Sequence, residues 1–352
     1  MDNRRRFDAE GLEEFSSGVL KKLGIPENDA DITAKMLVNS DLRGVESHGV
    51  AHLSPFYVSW IKDGKVKIKP QLTLESNSST SAIMDGDAGL GFVAGYHATN
   101  EAIKRAKQAG AGFVTVKNSS HCGAAAYYAM MALEHDMIGI AITAGGRLMM
   151  APGSKERAAG LNPMSFAVPA YQKHPFVLDM STSVVAFGKI EIAQRQGKTI
   201  PEGWAVDENG KPVTDALKIN PSDENFKGGL LPLGGRPETG VFKGFGLAVL
   251  ADIFCTVLSG ADLNTTSNHF FGAIRIDGFR PAIEFKKQID QLIESIERLP
   301  VLPGTKRIYA AGGIEDEIMK DRKVNGVPLD DAVIQSLKEL AHEFSVPFKV
   351  EV

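Results

Sequence analysis

Two short polar stretches carry side chains suited to proton transfer: Glu46-Ser-His48-Gly and Asn118-Ser-Ser-His121-Cys-Gly123. Histidine is the one side chain whose ordinary pKa lets it give or take a proton near neutrality, and this chain has only 8. His121 follows a β-branched run, Phe113 to Lys117, and precedes an alanine-rich run from Ala124. That order predicts a strand, a polar turn and a helix, with His121 at the corner. Open α/β sheets bind ligands at such strand ends, and a helix amino end offers N–H groups to an anion. The plainer reading is a loop histidine bonded to its own turn. A second corner, with Ser47 beside His48, turns the pair toward chemistry.

Other chemistries were open to these residues. Cys122 beside His121 has the makings of a nucleophile, but a small residue packing the helix start is the simpler account. His48-Gly-Val-Ala-His52 places two imidazoles four residues apart, yet lacks the glutamate of H-E-x-x-H. With His121 as third ligand it would suit zinc, giving a metal-dependent hydrolase or lyase as an alternative. The stretch Gly44-Val-Glu-Ser47-His-Gly49 is one residue out of register with a G-x-S-x-G nucleophile elbow. Gly86-Asp-Ala-Gly89-Leu-Gly91 has its glycines in the wrong order for a Rossmann fingerprint, and no Walker-type phosphate loop is present.

These corners need a scaffold, and 352 residues are ample for one large or two smaller cores. A hydrophobic share of 43% and a charged share of 23% describe an ordinary globule. A net charge of -4 without a basic cluster argues against nucleic acid as a partner. No leader-type apolar segment follows the first arginines. The longest apolar run, Leu247 to Leu258, is interrupted by Asp252 and too short for a bilayer, so no membrane partner is expected. Two cysteines cannot make a disulfide framework, which suits a reducing, cytoplasmic setting.

Helical spacing predicts helices over 8–23, 27–42 and 50–61, a hairpin over 72–84, a loop over 85–91 and a helix over 96–108. A strand–helix–strand unit over 113–117, 124–135 and 137–143 should pair its strands in parallel. Paired strands are expected at 164–168 and 176–179, then a helix over 183–195. Lys198 to Lys227 reads as a long surface excursion. A glycine-rich stretch, 228–246, leads to an apolar helix over 247–258. A short strand at 273–276 and helices over 282–298 and 330–344 complete the chain.

Five motifs now stand in order: Asp41-Leu-Arg-Gly-Val-Glu-Ser-His-Gly49, Asn118-Ser-Ser-His121-Cys-Gly123, Gly160-Leu-Asn-Pro163, Leu178-Asp-Met-Ser-Thr182 and Phe242-Lys-Gly-Phe-Gly246. Together they resemble the malate/L-lactate dehydrogenase family of the second type, which includes sulfolactate and ureidoglycolate dehydrogenases and cyclic-imine reductases. The resemblance runs from about Asp8 to the carboxyl end. It implies an α/β fold with a mixed sheet flanked by helices, a nicotinamide-dependent dehydrogenase fold that is not Rossmann, with a helical subdomain drawn from both chain ends. Residues 1–75 with 300–352 would form that subdomain and carry the Ser-His-Gly motif, and 76–299 would be the cofactor-binding α/β domain.

The resemblance implies NAD or NADP as cofactor and interconversion of a 2-hydroxy acid with its 2-oxo acid, of the malate or lactate type; reduction of a cyclic imino acid is the alternative closest to it. It makes His121 the general acid/base and puts Ser47 and His48 in the catalytic pocket. Gly123, Gly145, Asp179, Met180, Ser181 and Lys243 match positions on the cofactor side, and no metal is implied. A homodimer with active sites near the interface is also implied. Relatives usually carry S-H-G-V-x-R, whose arginine suits a substrate carboxylate; here that place holds His52. Imidazole gives one donor where guanidinium gives two parallel ones. Arg43 or Arg147 would then supply the lasting cation, with His52 and Tyr57 completing the substrate side.

Overall fold

A strand covered on both faces needs small or apolar side chains at nearly every position, and the runs around Val114, Ile140 and Phe271 meet that demand. The computed structural model describes residues 4–76, 78–220, 226–265 and 267–348. In chain order its elements begin with β1 (Arg5–Phe7), α1 (Ala9–Lys22), α2 (Glu27–Leu42), α3 (Ser59–Lys62), β2 (Thr73–Glu75), β3 (Ser81–Gly89) and α4 (Gly91–Ala109). Next are β4 (Ala111–Ser119), α5 (Ala125–Met131), β5 (Met137–Ala144), β6 (Met149–Met150), β7 (Arg157–Ala159), β8 (Met164–Val168), β9 (Phe176–Met180) and α6 (Phe187–Arg195). The rest are β10 (Ala205–Val206), β11 (Gly229–Leu230), α7 (Val241–Asp252), β12 (Asn268–Arg275), α8 (Ala282–Glu297), α9 (Gly313–Asn325), β13 (Val327–Leu329) and α10 (Asp331–Phe344).

Among the described residues the main sheet has seven strands in the order β2-β3-β4-β12-β5-β8-β9. β3 and β4 pair in parallel, and every other pairing in this sheet is antiparallel. It is therefore the mixed sheet expected, flanked by helices: α4 and α5 pack on one face, where Val114, Ala141 and Phe271 point, and α7 covers the other, where Ile142 and Phe270 point. By that register β3, β4, β5 and β9 all run the same way, so their carboxyl ends share one edge.

Several local expectations change. The strands at 113–117 and 137–143 are parallel but do not touch, because β12 inserts between them, antiparallel to both. That strand spans eight residues where 273–276 was expected, for Asn268, His269 and Gly272 hide it from a search for apolar runs. The hairpin is present as β2 and β3, although residue 77 of its turn lies outside the described residues, and the loop expected at 85–91 is mostly the end of β3. The helix expected over 50–61 is a short helical turn, a wide turn at Leu53–Val58 and then α3; Pro55 has no N–H to give a regular ladder. The apolar helix starts at Val241 rather than Leu247. The surface excursion, whose residues 221–225 lie outside the described set, contributes Ile200, Ala205, Ala216 and Ile219 to a second small core with Ile190 of α6.

Both chain ends reach the Ser-His-Gly corner. β1 pairs antiparallel with β13. Glu46 accepts from the Arg4 guanidinium at 2.8 and 3.0 Å and also from Arg322 on α9. Burial would raise the Glu46 pKa, but these two guanidiniums hold it below the usual value. Beneath the corner, Asp41 at the end of α2 is 1% exposed and accepts the Val50 N–H at 2.8 Å. Residue 49 must be glycine, because a Cβ there would stand 1.8 Å from the Asp41 carboxylate.

Asp41→Ala would leave a buried N–H unpaired, and denaturant unfolding is expected to show a loss of about 1–3 kcal/mol. Asp41→Asn keeps an acceptor oxygen and should recover most of it. Burial raises the Asp41 carboxyl from 3.8 to about 7, so the folded state binds this proton more tightly than the unfolded chain. Its contribution is lost as pH rises through about 7, and the Asn variant should lack that part of the pH dependence. Equal stability of the Ala and wild-type proteins would remove Asp41 from this role.

Candidate active site

β4 ends at Ser119 and α5 starts at Ala125, so His121 stands at the strand-to-helix corner read from its neighbours. Its Nδ1 lies 2.8 Å from the hydroxyl of Tyr57 and 3.3 Å from the backbone N of Gly123. A backbone N–H only donates, so in the neutral ring Gly123 favours the lone pair on Nδ1 and the proton on Nε2. The Tyr57 hydroxyl can turn either way, accepting when Nδ1 is protonated. Tyr57 is fully buried. It stands behind the imidazole rather than on an exposed pocket wall, the position expected of a substrate contact.

Burial first, and then the neighbouring His48, His52 and His269, depress the His121 pKa well below 6.5. Its ring stacks with that of His48 at a centroid distance of 5.5 Å. The Ser47 hydroxyl lies 2.9 Å from His48 Nδ1. Burial, with His52 adding to it, lowers His48 to about 4. Ser47, His48 and His121 are thus brought together from stretches more than seventy positions apart.

His52 joins the same cluster, its ring 6.1 Å from that of His48. Its Nε2 sits 3.3 Å from the carboxylate of Glu191 on α6. Burial would raise Glu191, but the His52 contact holds it below its usual value. The helix is pressed close: a Cβ at Gly188 would lie 2.1 Å from that of Ser47. Glu191 escaped the sequence reading because its partner is 139 positions away and nothing local marks it.

The residues matched to the cofactor side gather where parallel strands end. Gly145 follows β5, Met180 closes β9 and Ser181 follows it. The Gly145 N–H donates to Asn162 Oδ1, and nothing lies within 4 Å of where its Cβ would be. Asp179 is exposed, and desolvation by the protein around its carboxyl raises it to about 6 against the opposing pull of the Ala126 N–H and Arg43. Lys243 is exposed in the first turn of α7, not ahead of the helix. The N–H groups of Val241 and Lys243 already bond Arg236 and Gly240 carbonyls, so the ammonium rather than an open helix end is the cationic feature there. Arg43 is 6% exposed, and its Nε has no partner among the described residues. Arg147 is exposed on the loop after β5.

Cys122 is 2% exposed, and burial pushes its thiol up to about 12, so it is a packing residue and not a nucleophile. Among the described residues no group of three or more His, Cys, Asp or Glu side chains could hold a metal ion. An open groove of about 550 Å³ runs past Leu72, Val93, His97 and Lys104, but none of its lining residues belongs to the histidine cluster. No described helix is long and apolar enough to cross a membrane.

Known proteins resemble this chain over nearly its whole length. The profile described as Malate/L-lactate dehydrogenase matches residues 7–338. Malate dehydrogenase of Pyrococcus horikoshii is 43% identical over 98% of this chain and 97% of its own. L-sulfolactate dehydrogenase of Methanocaldococcus jannaschii is 38% identical over 93% of this chain and 94% of its own. The crystal structure of malate dehydrogenase from Entamoeba histolytica superposes with a TM-score of 0.95 at 32% identity, covering 99% of this chain and 100% of that one. The chain therefore belongs to the malate/L-lactate dehydrogenase family and is an enzyme of the hydroxy acid dehydrogenase kind.

Proposed function

We propose that the protein interconverts a small 2-hydroxy acid and its 2-oxo acid, of the malate/oxaloacetate or lactate/pyruvate type, with NAD or NADP. The observation that carries this reading is the His121 imidazole, backed at Nδ1 by Tyr57 and Gly123 with no hydrogen-bond partner on Nε2 among the described residues. The surrounding residues suit a nicotinamide dinucleotide. Lys243 is an exposed cation, Asp179 an accessible carboxyl, and Gly145 leaves open space for close approach. Gly123, Met180 and Ser181 complete that side. When bound, the nicotinamide supplies or takes the hydride at substrate C2.

His121 handles the matching proton. As the imidazolium it gives the Nε2 proton to the oxygen on C2, and Tyr57 accepts from Nδ1–H. In the oxidising direction Nε2 takes the hydroxyl proton, which requires the other neutral tautomer, with Tyr57 turned to accept from Nδ1–H in place of the Gly123 contact. Ser47 and His48 orient the substrate oxygens. Arg43 gives a permanent charge for the carboxylate, whereas His52 shares its position with Glu191. In this reading residues 1–75 with 300–352 form the subdomain that brings the Ser-His-Gly corner, and 76–299 the domain that brings the cofactor side. The protein works in the cytoplasm as a homodimer. Exposed Phe242, Val249, Leu250, Ile253, Val257 and Leu258 form an apolar stripe for the second copy, on the helix that bears Lys243.

Purified protein mixed with NADH or NADPH and a panel of 2-oxo acids should consume the reduced cofactor, followed by its absorbance. Silence with every pair, in folded protein, rejects the proposal. A cyclic imino acid in the same panel tests the alternative substrate class, and chelation without loss of activity ends the zinc reading. His121→Ala should lower turnover by about 10²- to 10⁴-fold while cofactor binding survives.

The direction of pH dependence follows from the depressed His121 pKa. Reduction needs the protonated ring, so its kcat/KM should rise as pH falls, with a midpoint below 6.5. Oxidation needs the neutral ring and should show the opposite profile. A bound carboxylate favours the imidazolium, which moves the midpoint of reductive kcat to higher pH than that of kcat/KM. Profiles that match in His121→Ala and wild type would assign the titration to another group.

A further inference from the structure

His269 lies on β12, the strand that separates the two parallel strands β4 and β5, and is 0% exposed. Its Cα is in register with Val116 on one side and Thr143 on the other. Its Nε2 is 3.1 Å from the carbonyl oxygen of Ser120. A carbonyl only accepts, so Nε2 carries a proton. The Thr143 hydroxyl lies 2.7 Å from that Nδ1, and the Cys122 thiol 3.6 Å. When the ring is neutral its proton is therefore on Nε2, and Nδ1 accepts. Burial favours the neutral form, lowering its pKa to about 4.

Ser120 and Cys122 are the two neighbours of His121. The Ser120 hydroxyl accepts the Gly91 N–H of α4 at 2.9 Å, and the Cys122 carbonyl accepts the Tyr128 hydroxyl of α5 at 2.6 Å. The Ser120 carbonyl is held by the most interior strand of the group. An apolar ring of equal size would fill the same space and leave that carbonyl without its donor. The Ser120–His121 peptide could then turn, and the imidazole with it.

We propose that His269 is a positioning residue: its Nε2–H bond to the Ser120 carbonyl fixes the peptide that aims His121 Nε2 at the substrate oxygen. This rests on the reading of His121 as the proton-transfer group. A misplacement of about 1 Å at a reacting centre costs about 10²-fold in rate, which sets the scale of the effect.

The test uses three variants of the full chain. Glutamine can place an N–H where Nε2 stands; asparagine can replace only the Nδ1 acceptor; leucine replaces neither. His269→Leu and His269→Asn should lower kcat by about 10- to 100-fold with little change in KM, and His269→Gln should recover most of it. Independently of turnover, nitrogen-15 NMR of the His121 ring should show its titration displaced in the Leu and Asn variants and near wild type in Gln.

Unchanged kcat and His121 titration in a folded Leu variant would overturn the proposal. Asparagine restoring both as well as glutamine would do the same, as would glutamine restoring neither. If leucine fails to fold, the Gln and Asn variants decide between these outcomes. If wild type turns over no substrate, the function proposed above fails, and the NMR comparison still decides whether His269 orients His121.

Discussion

Three neighbouring histidines, His48, His121 and His269, are kept in surroundings that disfavour charge on any of them, and the remaining design follows from that constraint. Burial is the leading cause of the lowered pKa of each. A neutral imidazole has one donor and one acceptor, so a buried one must have its hydrogen bonds arranged for a particular tautomer. At His269 both nitrogens are answered from within the protein. At His121 Nδ1 is, by Tyr57 and Gly123, and Nε2 has no partner among the described residues. In the function proposed above, that nitrogen is the difference between a structural histidine and one that exchanges a proton with a bound molecule.

The sheet supplies this arrangement by letting parallel strands end together. The turns after β4, β5 and β9 bring His121, Gly145 and Ser181 to one edge. Antiparallel β12 begins at that edge, so its second residue, His269, lies under the turn after β4. Had β4 and β5 paired directly, no buried side chain from a third strand would reach the Ser120 carbonyl there. The inserted strand sets the rigidity of the corner as well as the order of the sheet. The chain ends work from the other side, with Arg4 and Arg322 meeting on Glu46 and Asp41 holding the Val50 N–H.

Much of this was legible in local pattern. The β-branched run before His121 and the alanines after it gave the corner, and five ordered motifs gave the family. The missing Rossmann glycines agreed with a different fold. What local pattern hid was long-range. Nothing near residue 268 reveals a strand buried on both faces, because Asn268 and His269 are polar, and the groups that Asn268 Nδ2 and the His269 ring bond to are brought in by the fold. The second small core was also hidden. Its apolar residues are scattered among Pro, Gly and Asp, and they bury themselves through tertiary contact without periodicity.

The departure at residue 52 shows how far a sequence difference can be read before its partner is known. Histidine in place of arginine is visible at once, and taken alone it suggests only a weaker anchor. Glu191 alters the electrostatics further. A carboxylate arriving beside His52 would add a second negative charge to a place that already holds one, and at best one imidazolium would offset the two. Arg43 offers the other nearby cation, a guanidinium, which stays charged throughout the working range of pH. Its burial disfavours the charge, and Glu315, Asp179 and Asp316 favour it. Both cations thus already face carboxylates of the protein, and the His52–Glu191 pair suits a polar group that can both give and accept a hydrogen bond. Because α6 carries Glu191 and rests against Ser47 through Gly188, a change in the small second core would be felt first at this pair, and through it by His48.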